Sequence, residues 1–222
     1  MGRYRIIRAR SASGLLRLAD VEEIATRLLG GGLAVLPTET GHMVAALATS
    51  RDALLKAFAF KGRPLTNPMH VACSSLTMAD RYSALSADAR RLLGTHTPGP
   101  LTVVVPQKSA LPADLVTLNG TVGIRVPDHA ATLQVIEAVG APLTATSLNR
   151  SGEESRPVSE DSLAGFDWVD ETPVVIDNEA IRYEAASTLV RFEQDGFTIL
   201  RDGPVDKAVI EETLGRGGPD SA

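Results

Sequence analysis

Cations, hydroxyls and amides crowd the ends of short apolar runs in this 222-residue chain, and four such junctions hold side chains that an ordinary connector does not need. The first is Pro37-Thr38-Glu39-Thr40, directly after Leu33-Ala-Val-Leu. Two hydroxyls flanking a carboxylate can donate to one ligand group and accept from another, or they can form a capping turn. The second, Lys61-Gly62-Arg63-Pro64, places two cations on either side of a glycine, with a proline fixing the backbone beyond. Such a prong suits a polyphosphate. It equally suits the last turn of a helix, where the macrodipole favours positive charge. In Thr121-Val-Gly-Ile-Arg125-Val-Pro127 a guanidinium interrupts an apolar strand. It must reach an edge, hold an anion or meet an internal carboxylate, because a buried Arg without a partner is too costly to keep. The fourth, Thr144-Ala-Thr-Ser147-Leu-Asn149-Arg-Ser151-Gly152, is dense in hydroxyl and amide groups, with a glycine that lets backbone approach a ligand; it also reads as a turn-rich loop.

Several chemistries are argued against by what the chain lacks. No Gly-Lys-Ser/Thr is present, so there is no P-loop, and no dinucleotide fingerprint occurs. Ser147 lies outside any Gly-x-Ser-x-Gly and has no assignable His-Asp partner, which disfavours a hydrolase triad. His42, His70, His96 and His129 show no metal-site spacing, and no protein metal site is expected. The single Cys73 excludes a disulfide framework and reads as an inert buried thiol. The acidic stretch 153–161 reads as a solvated loop. A net charge of −5 argues against wrapping a long nucleic acid by charge alone.

The elements that must position these junctions follow from periodicity. Asp20 is expected to cap a helix with apolar positions at 21, 24, 25, 28 and 29, stopped by Gly30-Gly31-Gly32. Further helices are predicted over 51–60, 87–94 (capped by Ser86), 129–139 and 205–214. Strands are predicted near 4–8, 33–36, 69–73, 101–105, 122–126, 142–146, 173–177, 187–192 and 197–201. Strands alternating with helices, then a strand-rich last third, indicate α/β with a mixed sheet. Residues 1–214 read as one domain, with a frayed tail over 215–222. With 44% hydrophobic residues, the core must be built largely from Leu, Val, Ala and Ile, because aromatics are only 4%. No secretory signal and no apolar run near the ~20 residues of a membrane span are evident, so a cytoplasmic protein is expected.

Taken in order, the chain resembles the YrdC-like family, the threonylcarbamoyl-AMP synthases of the single-domain TsaC type. The resemblance runs from about residue 15 to 205. It is carried by Pro37-Thr-Glu-Thr40, Lys61-Gly-Arg-Pro64 with Asn67-Pro68, Pro98-Gly-Pro-Leu-Thr102, Val122-Gly-Ile-Arg-Val-Pro127, Thr146-Ser-Leu-Asn149-x-Ser-Gly152, Ser187-Thr-Leu-Val190 and Ile199-Leu-Arg-Asp-Gly203. It implies a twisted mixed sheet flanked by helices, with a large concave basic cleft. It also implies a reaction in which L-threonine, bicarbonate and ATP, with its Mg2+, give threonylcarbamoyl-AMP and pyrophosphate. A partner complex would then pass the group to adenosine in tRNA.

The resemblance further implies residue roles. Lys61 and Arg63 would be catalytic and hold ATP phosphates, with Asn67, Thr121, Asn149 and Arg201 also on ATP. Thr40, Arg125, Ser147 and Ser187 would bind threonine. The bottom-up chemistry agrees, since carbamate formation and attack on the α-phosphate need alignment and charge neutralisation rather than a protein nucleophile. Departures occur at Gly41-His42-Met43-Val44, where the family has a bulky residue followed by Tyr-Gly-Leu, and at Leu148, where it has Ala. A family His falls on Ala72, with His70 two residues early. These departures motivate a second reading, a paralogue activating another amino acid or carbamoyl acceptor. A third, a non-catalytic RNA-binding module with direct tRNA contact, is disfavoured by the acidic balance and scarce aromatics.

Overall fold

The protein is described from a computed structural model, over residues 4–9, 13–108, 111–149, 157–169, 171–193 and 196–216. Arg150, Ser151 and Gly152 of the fourth junction, residues 153–156 of the acidic stretch and tail residues 217–222 lie outside that description. In chain order the elements are β1 (Tyr4–Arg8), α1 (Leu18–Leu29), β2 (Ala34–Thr38), β3 (Gly41–Ala45), α2 (Arg51–Lys61), β4 (Val71–Ala72), α3 (Leu76–Tyr82), α4 (Ala87–His96), β5 (Leu101–Pro106) and β6 (Thr117–Leu118). There follow β7 (Thr121–Arg125), α5 (Ala130–Val139), β8 (Leu143–Thr144), β9 (Thr146–Ser147), α6 (Glu160–Ala164), β10 (Thr172–Ile176), β11 (Thr188–Glu193), β12 (Gly196–Arg201) and α7 (Lys207–Thr213).

The expected mixed α/β architecture is present, with its strands divided between two sheets rather than gathered in one. One sheet has the order β1-β10-β2-β3-β9, in which β1, β10 and β2 are parallel and β3 and β9 alternate antiparallel. The other runs β12-β11-β5-β7-β4-β8, with β6 paired to β7; β11 is parallel to β5 and β4 to β7. Only Ala145 separates β8 from β9, so one stretch passes from the second sheet into the first. Its backbone is fastened to both: Ala145 N donates to His70 O at 2.8 Å and Thr144 N to Ala46 O at 2.9 Å. The buried Thr144 hydroxyl completes the seam, accepting from Ala46 N and donating to Val44 O. Such pairing is required wherever backbone polar groups are cut off from water. Buried apolar side chains from both sheets form one cluster, dominated as expected by Leu, Val, Ala and Ile.

The helices show which local signals held. In α1 the buried residues Val21, Ile24, Ala25 and Leu28 form most of the expected stripe, whereas Leu29, also expected on it, is exposed. The helix nevertheless starts at Leu18, with Arg17 at the N-cap and no side-chain cap. Asp20 is therefore not the cap; it lies in the first turn, where the helix dipole favours a carboxylate, and it pairs with Arg5. Ser86 caps α4 as expected, accepting from Ala89 N, and Ser50 likewise caps α2, accepting from Ala53 N. Ser75 caps the short α3, which has too few turns to announce itself by periodicity. The strand β3 is buried at every position, so it lacks the alternation that marks a half-exposed strand. Ser159 and Ser162 form a capping box that starts α6 inside the stretch read as a solvated loop.

The end of α2 sets the directions of two cations. Gly62 takes the left-handed conformation at φ 60, and Gly62 N and Arg63 N close the helix on Ala59 O and Phe58 O. This turn sends Lys61 inward and Arg63 along a different direction. A methyl group at Gly62 would meet nothing within 4 Å, so Gly62→Ala tests backbone strain alone. It should lower stability by about 1–2 kcal/mol, read as a shift in the urea midpoint with an unchanged slope.

Candidate active site

Glu39 and Thr40 form the two-residue turn of the β2–β3 hairpin, with Thr38 paired to Gly41. Thr38 Oγ1 donates to Gly41 O at 2.7 Å and accepts from Thr40 N, which tightens the turn. Glu39 has no solvent exposure. Its carboxylate accepts from Arg125 Nη2 at 2.8 Å and from Asp128 N at 2.9 Å, while its carbonyl accepts from Arg182 N and Tyr183 N. Arg125, the last residue of β7, also donates to Thr40 Oγ1 at 2.7 Å. The cation that interrupts the strand thus has an internal carboxylate and also reaches a cavity.

That cavity, of about 460 Å3, opens between the strand ends of the two sheets. Seven of the ten residues expected at the site line it: Thr40, Arg63, Arg125, Ser147, Asn149, Ser187 and Arg201. Arg201 ends β12 and grips Ser187 O through Nε and Nη2 at 3.0 and 2.9 Å. Ser187 Oγ is bonded in turn to Thr102 Oγ1 at 2.8 Å. Arg63 is oriented by Asn67, whose carbonyl and side-chain oxygens accept from Nε and Nη2 at 2.7 and 2.8 Å. Asn67 itself is outside the cavity and holds the Arg that lines it. Thr121 starts β7, donates to Leu118 O and is also outside. Lys61 is buried beneath the Ser147–Asn149 turn, donating to backbone carbonyls there rather than lining the cavity.

Among the lining residues that had no role expected from the sequence are Thr102, His70 and the carboxylate of Glu184. Thr102 was visible only as the end of Pro98-Gly-Pro-Leu-Thr102. His70 sits among Arg201, Arg63 and Arg125; burial first, then these three cations, push its pKa down to about 4. Gly123 makes room for its ring, since a Cβ there would lie 2.5 Å from His70 Cδ2. His42 is buried, with burial and His129 lowering its pKa to about 4 against the opposing pull of Asp177. Its Nε2 accepts from Asp177 N, which places the ring proton on Nδ1. Burial raises the Cys73 thiol to about 12, in keeping with an inert residue.

A larger cavity of about 720 Å3 lies near the N-terminus of α5. There Arg182 is ion-paired with Asp128, His129, whose pKa burial lowers, is hydrogen-bonded to Asp177 at 3.1 Å, and none of the ten expected residues lines it. Among the described residues no cluster of three or more His, Cys, Asp and Glu is placed to hold a metal ion, and no helix is long and apolar enough to cross a membrane.

The fold and site define an α/β protein of two mixed sheets, whose polar cavity at the seam is lined by three arginines, the carboxylate of Glu184, hydroxyls and the Asn149 amide. Residues 26–203 match the Sua5/YciO/YrdC family model, described as "Telomere recombination". The chain belongs to this family. It is 31% identical over 186 residues to a threonylcarbamoyl-AMP synthase of Pyrococcus abyssi, covering 83% of this chain and 54% of the relative. It is 32% identical over 200 residues to a putative threonylcarbamoyl-AMP synthase of Mycobacterium leprae, covering 90% of each. The crystal structure of Pyrococcus abyssi Sua5 complexed with L-threonine superposes with a TM-score of 0.86 at 28% identity, over 96% of this chain and 61% of that one. The chain thus spans about half the length of the archaeal relative and nearly all of the mycobacterial one.

Two outcomes are expected from the buried charges. Glu39→Ala leaves Arg125 without its carboxylate and should cost about 3–5 kcal/mol, measured by urea unfolding; a loss under about 1 kcal/mol would mean that the pair is dispensable. His42 has a folded pKa below its unfolded value, so its stabilising contribution is complete above pH 6.5 and is lost as pH falls towards about 4. Across that window wild type should lose about 1.4 kcal/mol per pH unit more than His42→Gln, and parallel pH profiles would contradict the assignment.

Proposed function

We propose that this chain makes threonylcarbamoyl-AMP and pyrophosphate from L-threonine, bicarbonate and MgATP, for the threonylcarbamoyl modification of adenosine in tRNA by a separate partner. The observation that carries the reading is the convergence of Arg63, Arg125 and Arg201, from three separate parts of the chain, on one cavity of a member of this family. The named relatives and the threonine-bound structure support it.

In this reading the threonine amine and bicarbonate give a carbamate and water. A carbamate oxygen then attacks the α-phosphate and pyrophosphate leaves. Arg125 receives the amino-acid carboxylate. Its Nη2 is committed to Glu39 and Thr40, while Nη1 makes no bond among the described residues. Thr40, Ser147 and Ser187 orient the amino acid with hydroxyls. Arg63 and Arg201 face the phosphates, and both are held before any ligand arrives, by Asn67 and by Ser187. Preorganised cations of this kind stabilise developing charge without reorganising during the reaction. Asn149 takes the nucleotide, with Thr121 left for any part of it that extends past the cavity. Mg2+ enters on the triphosphate as part of the substrate.

Product analysis after incubation with MgATP, bicarbonate and labelled threonine tests this directly. Threonylcarbamoyl-AMP and stoichiometric pyrophosphate are expected, with Arg63→Ala lowering turnover by about 10²–10³-fold. ATP-pyrophosphate chemistry with carbamoyl phosphate or serine, and none with threonine and bicarbonate, would replace the reading with that of a paralogue.

A further inference from the structure

The two cations of Lys61-Gly62-Arg63 are separated by the left-handed turn at Gly62, and their surroundings differ in kind. Arg63 lines the cavity. Its Nε and Nη2 are spent on Asn67 and Pro68, and its Nη1 makes no bond among the described residues. Lys61 is 2% exposed. Its Nζ donates to Ser147 O, to Asn149 O at 2.7 Å and to Asn149 Oδ1 at 3.3 Å. An ammonium has three protons, and here three acceptors from a single turn surround it. A phosphate oxygen could bind Lys61 only by displacing one of them.

The turn that Lys61 holds is the end of β9, the outermost strand of the first sheet. Ser147 pairs with Met43, and Leu148 N donates to His42 O. Past that bond the chain leaves the ladder, and Asn149 N turns back to Ser147 O. The Ser147 hydroxyl is bonded to Asn149 Oδ1. Oxygen atoms gathered in so tight a turn need a cation or a donor among them. Lys61 supplies it from beneath, while Ser147 and Asn149 line the cavity above.

We propose that Lys61 is a positioning residue whose buried ammonium clamps the Ser147–Asn149 turn to the end of α2, setting the hydroxyl and amide wall of the cavity without contacting phosphate. Its role in turnover rests on the reaction proposed above; its hold on the turn does not. Burial and the neighbouring Arg63 lower its pKa to about 8, so the ammonium form that supplies three protons predominates at neutral pH.

Three variants test this: Lys61→Met, Lys61→Arg and Arg63→Ala. Binding of inorganic pyrophosphate, measured by calorimetry, should be within about twofold of wild type in Lys61→Met and at least about tenfold weaker in Arg63→Ala. In the free protein the amide resonances of Leu148 and Asn149 should move in Lys61→Met. Turnover should fall about 10²-fold with little change in the KM for ATP, as expected when reacting groups are misplaced rather than unbound. Lys61→Arg should be impaired as well, because a planar fork does not reproduce three converging protons, whereas a phosphate contact would accept a guanidinium. Loss of pyrophosphate binding in Lys61→Met to the level of Arg63→Ala, or full activity in Lys61→Arg, overturns the proposal. Should wild type bind no pyrophosphate and form no product, the proposed reaction fails. The amide shifts then still decide the clamp: unmoved resonances at Leu148 and Asn149 refute it, and if Lys61→Met does not fold, Lys61→Arg is read in the same way.

Discussion

A carboxylate with no exposure sits in the two-residue turn between β2 and β3, and the cost of leaving a buried charge unpaired constrains everything around it. Glu39 draws Arg125 from the other sheet, the backbone of Asp128 from the connection into α5, and, through its carbonyl, the backbone at Arg182 and Tyr183. Two distant stretches of chain, 125–128 and 182–183, are thereby fixed to one residue. The position of the cavity follows, because its lining strands are those whose ends meet at this junction. Thr144 and Ala145 make the complementary neutral attachment along the seam, through backbone pairing to both sheets.

Around that junction the charges are distributed so that positive groups can coexist. Arg125 is balanced by Glu39, while Arg63 and Arg201 are steadied by oxygen atoms that carry no full charge. His70, enclosed by all three guanidiniums, is held neutral by burial and by their field. It therefore adds a hydrogen-bonding surface to the wall without adding a fourth cation. Gly123 is the steric condition for this arrangement, since any larger residue would occupy the space of the ring.

The four polar junctions were legible because their residue types are expensive to place at strand ends without a task, and seven of the ten expected residues do line one cavity. Side-chain direction was not legible. Lys61 and Arg63 are two residues apart and chemically alike, and nothing in their spacing says that one turns under a loop while the other faces the cavity. Asn67, expected on ATP, lies outside the cavity and accepts two hydrogen bonds from Arg63. Asp20 looked like a cap because its type and position suit one, yet a first-turn carboxylate satisfies the same dipole preference. The second strand of the hairpin escaped notice because a strand buried on both faces has no alternation to read.

Local chemistry alone determined the α/β class, most helix spans, the Leu-, Val- and Ala-built core and the set of residues rich enough to form a site, since these depend on composition and on periods of a few residues. Tertiary structure decided that the strands form two sheets, that Glu39 meets Arg125 across 86 positions of chain, that His70 joins the cavity wall and that Lys61 lies beneath the Ser147–Asn149 turn. Pairing partners and side-chain directions at long range depend on how the whole chain closes on itself. A buried charge only states that a partner must exist, and the fold selects which one.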